Sequence, residues 1–265
     1  EAYPNPAGFP FRKDEIEFAD VDGNGVDDIF LSNSGVPSTA PVIIYFHKGA
    51  KSKYIKEIVD AFGKKTEFVF KPLSTNPAYS QISNKVYPVS NLGFPLYVVD
   101  EVKRTNGIGG TNSTLYTYEN AFMHKQGKGL IGFNKITKTN PVENVRQMDE
   151  YTFNATFFNL FHTKTTYLKH ATSALISDEV ITNQNLLPSG KSFWHTVTKV
   201  VRTNYLQNFP TELDYTYDSN GNLIYQKTNT NNVMDIDETF YNNMVSNGSW
   251  LPSKPTSILQ KITAG

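Results

Sequence analysis

The chain has 265 residues, with 25 basic and 25 acidic side chains, so its formal net charge is zero. This balance argues against nucleic acid as the main partner, because phosphate binding needs a basic face. Aromatic residues make up 13% of the sequence, which favours wide pleated sheets over helix bundles. The absence of cysteine excludes disulfides, thiolate catalysis and cysteine-ligated zinc, and no apolar run is long enough to predict a membrane span.

The first element in chain order is an acidic loop, DVDGNGVDD, between two strand-like segments. Oxygen-bearing side chains fall at loop positions 1, 3, 5 and 9, and a backbone carbonyl takes position 7, a spacing that suits the hard-oxygen shell of calcium. Position 12 is Leu31, where an EF-hand needs a glutamate. The alternative is a turn rich in aspartate and asparagine that binds no metal. We predict a structural calcium site whose ligands are Asp20, Asp22, Asn24, Val26 and Asp28.

Strand signals dominate the rest of the chain. β-branched and aromatic residues concentrate in short segments separated by glycine-rich turns such as Asn106–Gly110, which is interpreted as a hairpin loop. Tyr54–Phe62 has helical spacing that fits a short helix equally well, but a strand is favoured because Thr66–Phe70 would complete a hairpin with it. The other predicted strands are Pro41–His47, Glu67–Lys71, Leu96–Lys103, Ser113–Glu119 and Thr196–Arg202.

Towards the C-terminus the signals are weaker. Weak helical spacing predicts a short helix at Asp235–Val245, and two prolines after Asn247 predict an irregular tail as far as Gly265. Before them, Asp214–Ile224 has a strand, a tight Asn-Gly turn and a returning strand.

The acidic loop with its flanking strands resembles the FG-GAP/VCBS repeat, a blade element of β-propellers. By this resemblance the five residues named above would hold calcium between blade strands. Asn24 stands where many such repeats have aspartate, which lowers the charge of the site.

Three central segments, taken in order, resemble the middle region of the B component of insecticidal toxin complexes (Tc toxins) and related Rhs proteins. They are Tyr54–Leu73, a "P-x-x-V-V-x-x-V" strand at Pro95–Val102, and a "Y-x-Y" strand that runs into a basic glycine turn ending at Phe133. Lys128 stands in that turn where many members have arginine. Asp214–Ile224 resembles a YD repeat, Y-x-Y-D-x-x-G-N-L.

The resemblance implies an all-β chain in three parts. Residues 1–48 would be an FG-GAP-like blade remnant with the calcium loop, residues 49–210 a Tc-toxin-middle-like β region, and residues 211–265 the YD-repeat strands with the C-terminal tail. The implied fold is a run of extended antiparallel hairpins like an Rhs shell. Exposed edge strands at its C-terminal end would allow self-association by strand addition.

The implied function is a non-catalytic structural segment of a large bacterial secreted or surface toxin, contributing to a β-shell around a toxic cargo. Its partners would be the other parts of the toxin, and calcium its cofactor. The five histidines have no metal-ligand spacing, and no known catalytic motif is present, so we predict no enzymatic activity. Trp194, Trp250 and the acidic run Asp235–Glu238 leave two alternatives, an adhesin or carbohydrate-binding module and a glycosidase or lyase.

Overall fold

The structure is a computed structural model that describes residues 16–31, 43–48, 54–82, 85–92, 94–186, 194–219, 221–230, 235–242 and 257–264. Eighteen strands make up most of these residues, and the described chain contains a 3-10 turn at Leu73–Thr75 but no α-helix. The predicted all-β fold with antiparallel hairpins is therefore confirmed. Within the described ranges, no helix is long and apolar enough to cross a membrane. Trp250 and the side chain of Trp194 lie outside the description.

The chain divides into two compact units. The first comprises residues Glu1–Tyr79 and Leu92–Thr111, and the second comprises Ser80–Asn91 and Asn112–Gly265. The first unit contains a small antiparallel sheet, ordered β1-β2-β3, and an antiparallel group ordered β4-β5-β8. Their bounds are β1 Ile16–Ala19, β2 Asp28–Leu31, β3 Ile43–Tyr45, β4 Glu57–Val59, β5 Lys65–Pro72 and β8 Tyr97–Thr105. The two-residue β6, Tyr79–Ser80, lies where the chain passes between units.

The second unit is a meander in which each strand from β9 to β18 pairs antiparallel with the next one in sequence. The short strand β7, Val89–Asn91, pairs with the end of β9. The long strands are β9 Thr111–His124, β10 Gly129–Asn140, β11 Val145–Asn154, β12 Asn159–Lys169, β13 Leu175–Leu186, β14 Trp194–Asn204, β15 Phe209–Tyr217, β16 Leu223–Thr230, β17 Asp235–Asn242 and β18 Ser257–Ala264.

Three hairpins of this meander share one type of turn, which lacks the glycines that mark the predicted turns. The last residue of the first strand is an asparagine whose side-chain oxygen accepts two backbone N–H groups of the turn, at Asn140, Asn154 and Asn204. Four residues later the chain has a positive φ, at Asn144, Phe158 and Asn208. The asparagine side chain thus organises the turn locally, as expected for Asx turns.

The hairpin with the Y-x-Y-D-x-x-G-N-L pattern forms as predicted, with β15 paired to β16. Asp218 organises its turn, because its carboxylate accepts the backbone N–H of Asn222 at 2.8 Å and the Asn222 side-chain amide at 2.8 Å. Gly221 has a φ of 82°, a left-handed conformation that glycine adopts without a steric penalty. The strand prediction for Tyr54–Phe62 is confirmed in part, since Glu57–Val59 pairs with β5.

Two predictions at the C-terminal end are wrong. Asp235–Asn242 is the strand β17, not a helix, and it is paired on both sides, with β16 and β18. A helix this short is marginal alone, and ladder bonds to two neighbours outweigh its weak helical spacing. Within the predicted irregular tail, Ser257–Ala264 forms β18, which begins two residues after the last proline.

Burial is shallow in the meander. All eight residues of β16 are half-buried, and β10 is half-buried over most of its length. A strand that is covered by a second layer on one face alternates between buried and exposed residues, and these strands lack that alternation. The deepest packing in the second unit surrounds Phe122, which is 1% exposed and has the Lys85 ammonium 4.8 Å from its ring centroid.

A candidate metal centre

The acidic loop lies between β1 and β2, as the sequence predicts. The pairing of Ala19 with Asp28 closes the hairpin, so residues 20–27 must turn back within a short span. Gly23 and Gly25 have φ values of 75° and 85°, which allow the chain to reverse there. The loop therefore brings its first and last carboxylates close together.

The structure places three of the five predicted ligands in one cluster. One carboxylate oxygen from each of Asp20, Asp22 and Asp28 lies within 4.8 Å of the other two. Their burial increases from the exposed Asp22, through the half-buried Asp20, to Asp28, which is 0% exposed.

Asp28 is held by two backbone donors from outside its own strand. The N–H of Val21 donates to Oδ2 at 2.9 Å, and the N–H of His47 donates to Oδ1 at 2.7 Å. The hydrogen bond from His47 is the largest influence and lowers the pKa of Asp28, against an opposing effect of burial. The carboxylate is thus kept charged, and it ties the loop to the chain that follows β3.

The other loop side chains also bond within the loop. Asp20 accepts the N–H of Asn24 at 3.0 Å and that of Gly25 at 2.8 Å, and Asp22 accepts the Asn24 side-chain amide at 3.0 Å. The Asn24 side-chain oxygen accepts the N–H of Val26 at 2.8 Å. Asn24 therefore directs its amide nitrogen at Asp22, and a ligand role for Asn24 and Val26 stays a prediction.

The loop is clamped to the rest of the first unit through its backbone. The Tyr97 hydroxyl donates to the carbonyl of Asn24, and the Ser74 hydroxyl donates to the carbonyl of Gly23. The Tyr97 ring also stacks on Tyr54 at 5.2 Å between centroids, and Tyr54 stacks on Phe70 at 4.8 Å. Two carbonyl groups of the loop are thus fixed, one by the Tyr97 side chain of β8 and the other by the Ser74 side chain of the 3-10 turn.

The cluster suits a divalent cation in its chemistry. Three carboxylates within 4.8 Å of one another repel unless a positive charge lies between them. Each carboxylate oxygen has two lone pairs, so the N–H bonds described above leave acceptor capacity for a metal. Hard carboxylate oxygens are the ligands that calcium prefers. The three aspartates could therefore hold calcium, which would supply charge neutralisation and a cross-link between the ends of the loop.

A polar network in the second unit was not anticipated from the sequence. Asp149 is 7% exposed and accepts hydrogen bonds from the Lys138 ammonium at 3.1 Å and from the Thr165 hydroxyl at 2.9 Å. His162 Nε2 lies 2.9 Å from the same Thr165 hydroxyl. Gln147 also donates to Asp149, and these hydrogen bonds together lower its pKa although burial, the largest single influence, raises it. Only the cross-strand register, which pairs Asp149 with Thr165, brings the set together.

This network lacks the order that activates a nucleophile. In a catalytic triad the histidine lies between the acid and the hydroxyl, so that it can take the hydroxyl proton. Here Thr165 lies between Asp149 and His162 and donates its proton to the carboxylate. The arrangement joins strands β11 and β12 and is consistent with a structural role.

The acidic run on β17 is also engaged in cross-strand pairs. Glu238 accepts the Tyr225 hydroxyl at 2.8 Å and lies 3.8 Å from the Lys261 ammonium, while Asp237 accepts the Gln260 amide at 2.9 Å. Burial, together with the bond to Glu238, raises the pKa of Tyr225 to about 12. These two carboxylates therefore contact the neighbouring strands.

Comparison with known proteins identifies relatives of known fold. Solved structures similar to the chain include the Photorhabdus luminescens Tc holotoxin pore, with a TM-score of 0.64 and 13% identity over 98% of this chain. A TcdB2–TccC3 structure without the hypervariable C-terminal region has a TM-score of 0.64 and 13% identity over 98% of this chain. A TcdB2–TccC3–TEV structure has a TM-score of 0.65 and 12% identity over 99% of this chain.

The chain spans 17% of the length of these solved chains. No curated protein matches the sequence. Residues 6–166 match the family described as the insecticide toxin TcdB middle/N-terminal region, which covers more than half of the sequence. The chain therefore belongs to the TcdB middle/N-terminal region family of insecticidal toxins.

Proposed function

We propose that the chain is a non-catalytic wall segment of a secreted bacterial Tc-type toxin, and that it forms part of a β-shell around a toxic cargo. The observation that carries the proposal is the ten-strand meander from β9 to β18, whose strands are half-buried over long stretches. A sheet of this kind can separate two solvated spaces, because neither of its faces needs a covering layer. The relatives of similar fold are parts of multi-component toxins, as their names state.

Cross-strand ion pairs support this role. Lysines on one strand contact carboxylates on the next, in the pairs Lys135–Glu119, Lys138–Asp149, Lys164–Asp178 and Lys199–Glu212. Each exposed pair contributes little, about 0.2–1 kcal/mol, but the pairs recur along the meander. Polar ladders of this kind stabilise a thin sheet where a deep core is lacking.

The role can be tested with one substitution at two sites in the complete toxin protein. Val200 is 7% exposed and pairs with Leu213, whereas Val142 is 66% exposed in the turn between β10 and β11. Val200→Asp buries a charge in the wall and should open the shell, so that the cargo becomes sensitive to added protease and toxicity falls. Val142→Asp is the matched control and should leave cargo protection unchanged.

The decisive result would be a Val200→Asp toxin that loses sheet structure by circular dichroism. If its cargo stayed as resistant to protease as in the wild type, this segment would not form part of the barrier.

We propose that Asp20, Asp22 and Asp28 hold a structural calcium ion in the acidic loop. If the dissociation constant is about 10⁻⁴ M, as in some extracellular modules, calcium at about 10⁻³ M should stabilise the fold by about 1.4 kcal/mol. Asp22→Asn should abolish this stabilisation without unfolding the loop, because the Asp22 side chain is exposed and its carboxylate bonds to Asn24, within the loop. Asp27→Asn, at an exposed carboxylate outside the cluster, is the control.

Calcium titration by calorimetry and thermal melts with and without calcium provide the measurements. Stabilisation in the wild type and in Asp27→Asn, lost in Asp22→Asn, would support the site. No response in any of the three proteins would reduce the loop to a hydrogen-bonded turn.

A second candidate function, carbohydrate binding, is favoured by one observation in the first unit. A cavity of about 340 Å³ is lined by both aromatic and charged residues, among them Tyr54, Phe68, Phe70, Tyr97, Lys56, Glu57 and Glu67. Aromatic faces and carboxylates suit a sugar ring, although Tyr54 already stacks on two of these rings. Binding of the wild type to a glycan array, lost in Phe68→Ala, would support this function over the wall segment alone.

A further inference from the structure

The loop between β8 and β9 contains an asparagine directly before a glycine. Asn106 and Gly107 are both exposed, in the hairpin loop Asn106–Gly110 that the sequence predicts. Gly107 and Gly109 have φ values of 81° and 89°, and a Cβ added to either would meet nothing within 4 Å. The backbone at residue 107 therefore has neither a side chain of its own nor an atom packed beside its Cα to obstruct it.

The side-chain oxygen of Asn106 is fully occupied by backbone donors. It accepts the N–H of Ile108 at 3.0 Å and that of Gly110 at 2.9 Å. A carbonyl oxygen has two lone pairs, so both are used, and the orientation of the amide is fixed because its NH₂ group could not accept these bonds. The two donors lie where negative charge would develop if a nucleophile added to Cγ, as the donors of an oxyanion hole do.

We propose that Asn106 is a self-modifying site, at which attack by the Gly107 backbone nitrogen and then by water converts the side-chain amide to a carboxylate. The backbone nitrogen forms a bond to Cγ of Asn106, and its proton passes through water to the side-chain nitrogen, which leaves as ammonia. Water then adds to one of the two carbonyls of the resulting succinimide and opens the ring to aspartate or isoaspartate. The reacting atoms belong to two adjacent residues, so no group from elsewhere in the protein is needed, and the proposal does not rest on the wall or calcium assignments.

The acidic loop contains a second asparagine–glycine pair, and there both reacting groups are restrained. The Gly25 N–H, which would have to attack, donates to the Asp20 carboxylate at 2.8 Å. The Asn24 side-chain nitrogen, which would have to leave, donates to the Asp22 carboxylate at 3.0 Å. Asn24 can react only after these bonds open, so it should react more slowly than Asn106.

The two sites provide an internal comparison of rates. The protein is incubated at mildly alkaline pH with a calcium chelator, and peptides that contain residues 24 and 106 are analysed by mass spectrometry for conversion of amide to acid. In the folded protein the conversion at Asn106 should be at least about tenfold faster than at Asn24, because a hydrogen bond to a carboxylate must open first at Asn24. In guanidinium chloride the two rates should become similar, since both asparagines precede glycine and neither is restrained.

Two alanine variants separate this chemistry from a general loosening of the loop. Gly107→Ala places a Cβ beside the attacking nitrogen and should remove most of the product at Asn106. Gly109→Ala is the matched control, because it imposes the same left-handed strain in equally open space and leaves the attacking residue unchanged. Isoaspartate routes the main chain through Cγ, so hydrogen exchange at the amides of Ile108 and Gly110 should accelerate as it accumulates.

Each outcome decides the proposal. Conversion at Asn106 in the folded protein, faster than at Asn24 and lost in Gly107→Ala but not in Gly109→Ala, supports it. A folded protein that keeps the Asn106 amide for as long as the unfolded chain takes to lose it would overturn it, because the loop would then protect the site. Equal rates at the two asparagines in the folded protein, or equal conversion in the two alanine variants, would also overturn it.

Discussion

Gly25 provides the sharpest test of how the acidic loop is held, because a methyl group there would meet the Tyr97 ring. Gly25 has a φ of 85°, and a Cβ added to it would overlap Cε2 of Tyr97 and lie 3.1 Å from Cδ2. Gly63 is a matched control in the same unit, since its φ is 76° and a Cβ there meets nothing within 4 Å. The two glycines thus share the backbone conformation and differ in the space around them.

The expected magnitudes follow from this difference. An alanine in the left-handed region costs about 1–2 kcal/mol, and this is the whole effect expected for Gly63→Ala. Gly25→Ala adds the cost of overpacking against Tyr97, about 1–3 kcal/mol, so its total should be about 2–5 kcal/mol. Displacing the ring also weakens the hydroxyl bond to the Asn24 carbonyl, which contributes about 1 kcal/mol.

Urea unfolding by circular dichroism, with the slope of each transition compared, gives the free energy of unfolding for both variants. Hydrogen exchange at the amides of Asn24, Gly25 and Val26 adds a local measurement, since these N–H groups bond to loop side chains. Exchange there should accelerate in Gly25→Ala and stay unchanged in Gly63→Ala. Equal destabilisation by the two substitutions would refute the clamp between Tyr97 and the loop.

Three further predictions concern buried and bridging side chains. Because the pKa of Asp28 is lowered in the folded state, its charged form stabilises the fold above the unfolded pKa of about 3.9, and this contribution is lost as the pH falls through the folded pKa. The difference in the free energy of unfolding between wild type and Asp28→Asn should therefore become smaller from pH 5 to pH 3. A difference that does not change with pH would contradict a lowered pKa for Asp28. Asp149→Asn removes the charge partner of Lys138 and should cost about 1–3 kcal/mol in urea unfolding, while Asp27→Asn, at an exposed site, should cost almost nothing. The Lys128 ammonium donates to the Phe157 carbonyl at 2.6 Å and to the Asn159 side chain at 2.8 Å. Lys128→Met should therefore reduce the free energy of unfolding by less than about 1 kcal/mol and lower the melting temperature slightly, and Lys128→Arg should restore the wild-type melting temperature. Identical melting temperatures for all three proteins would show that these hydrogen bonds are not formed.

The sequence allowed the fold class and part of the candidate site to be predicted. The acidic loop and the hairpin at Asp218–Asn222 were identifiable because glycine and aspartate at fixed spacing determine turns locally. The turns after Asn140 and Asn204 follow the same logic, because the asparagines at both ends of each turn indicate it without a glycine.

Other features depend on partners that are distant in sequence. The Tyr97 hydroxyl bonds to the Asn24 carbonyl across 73 residues, and no local pattern indicates that contact. The segment that forms β17 was predicted as a helix from its own residues. Its extended conformation depends on hydrogen bonding to β16 and β18, which no local pattern indicates. The network at Asp149 likewise requires the exact register of β11 on β12.

The meander also determines how the chain can acquire its structure. Since each strand from β9 to β18 pairs with its immediate neighbour in sequence, most backbone contacts in this unit join residues that are close along the chain. Low contact order favours rapid folding, because little loop entropy is lost before a contact forms. On a ribosome each hairpin can form soon after its second strand emerges, and its free edge then templates the strand that follows. Folding can thus proceed from β9 towards β18 at the pace of synthesis, with one exposed edge at a time.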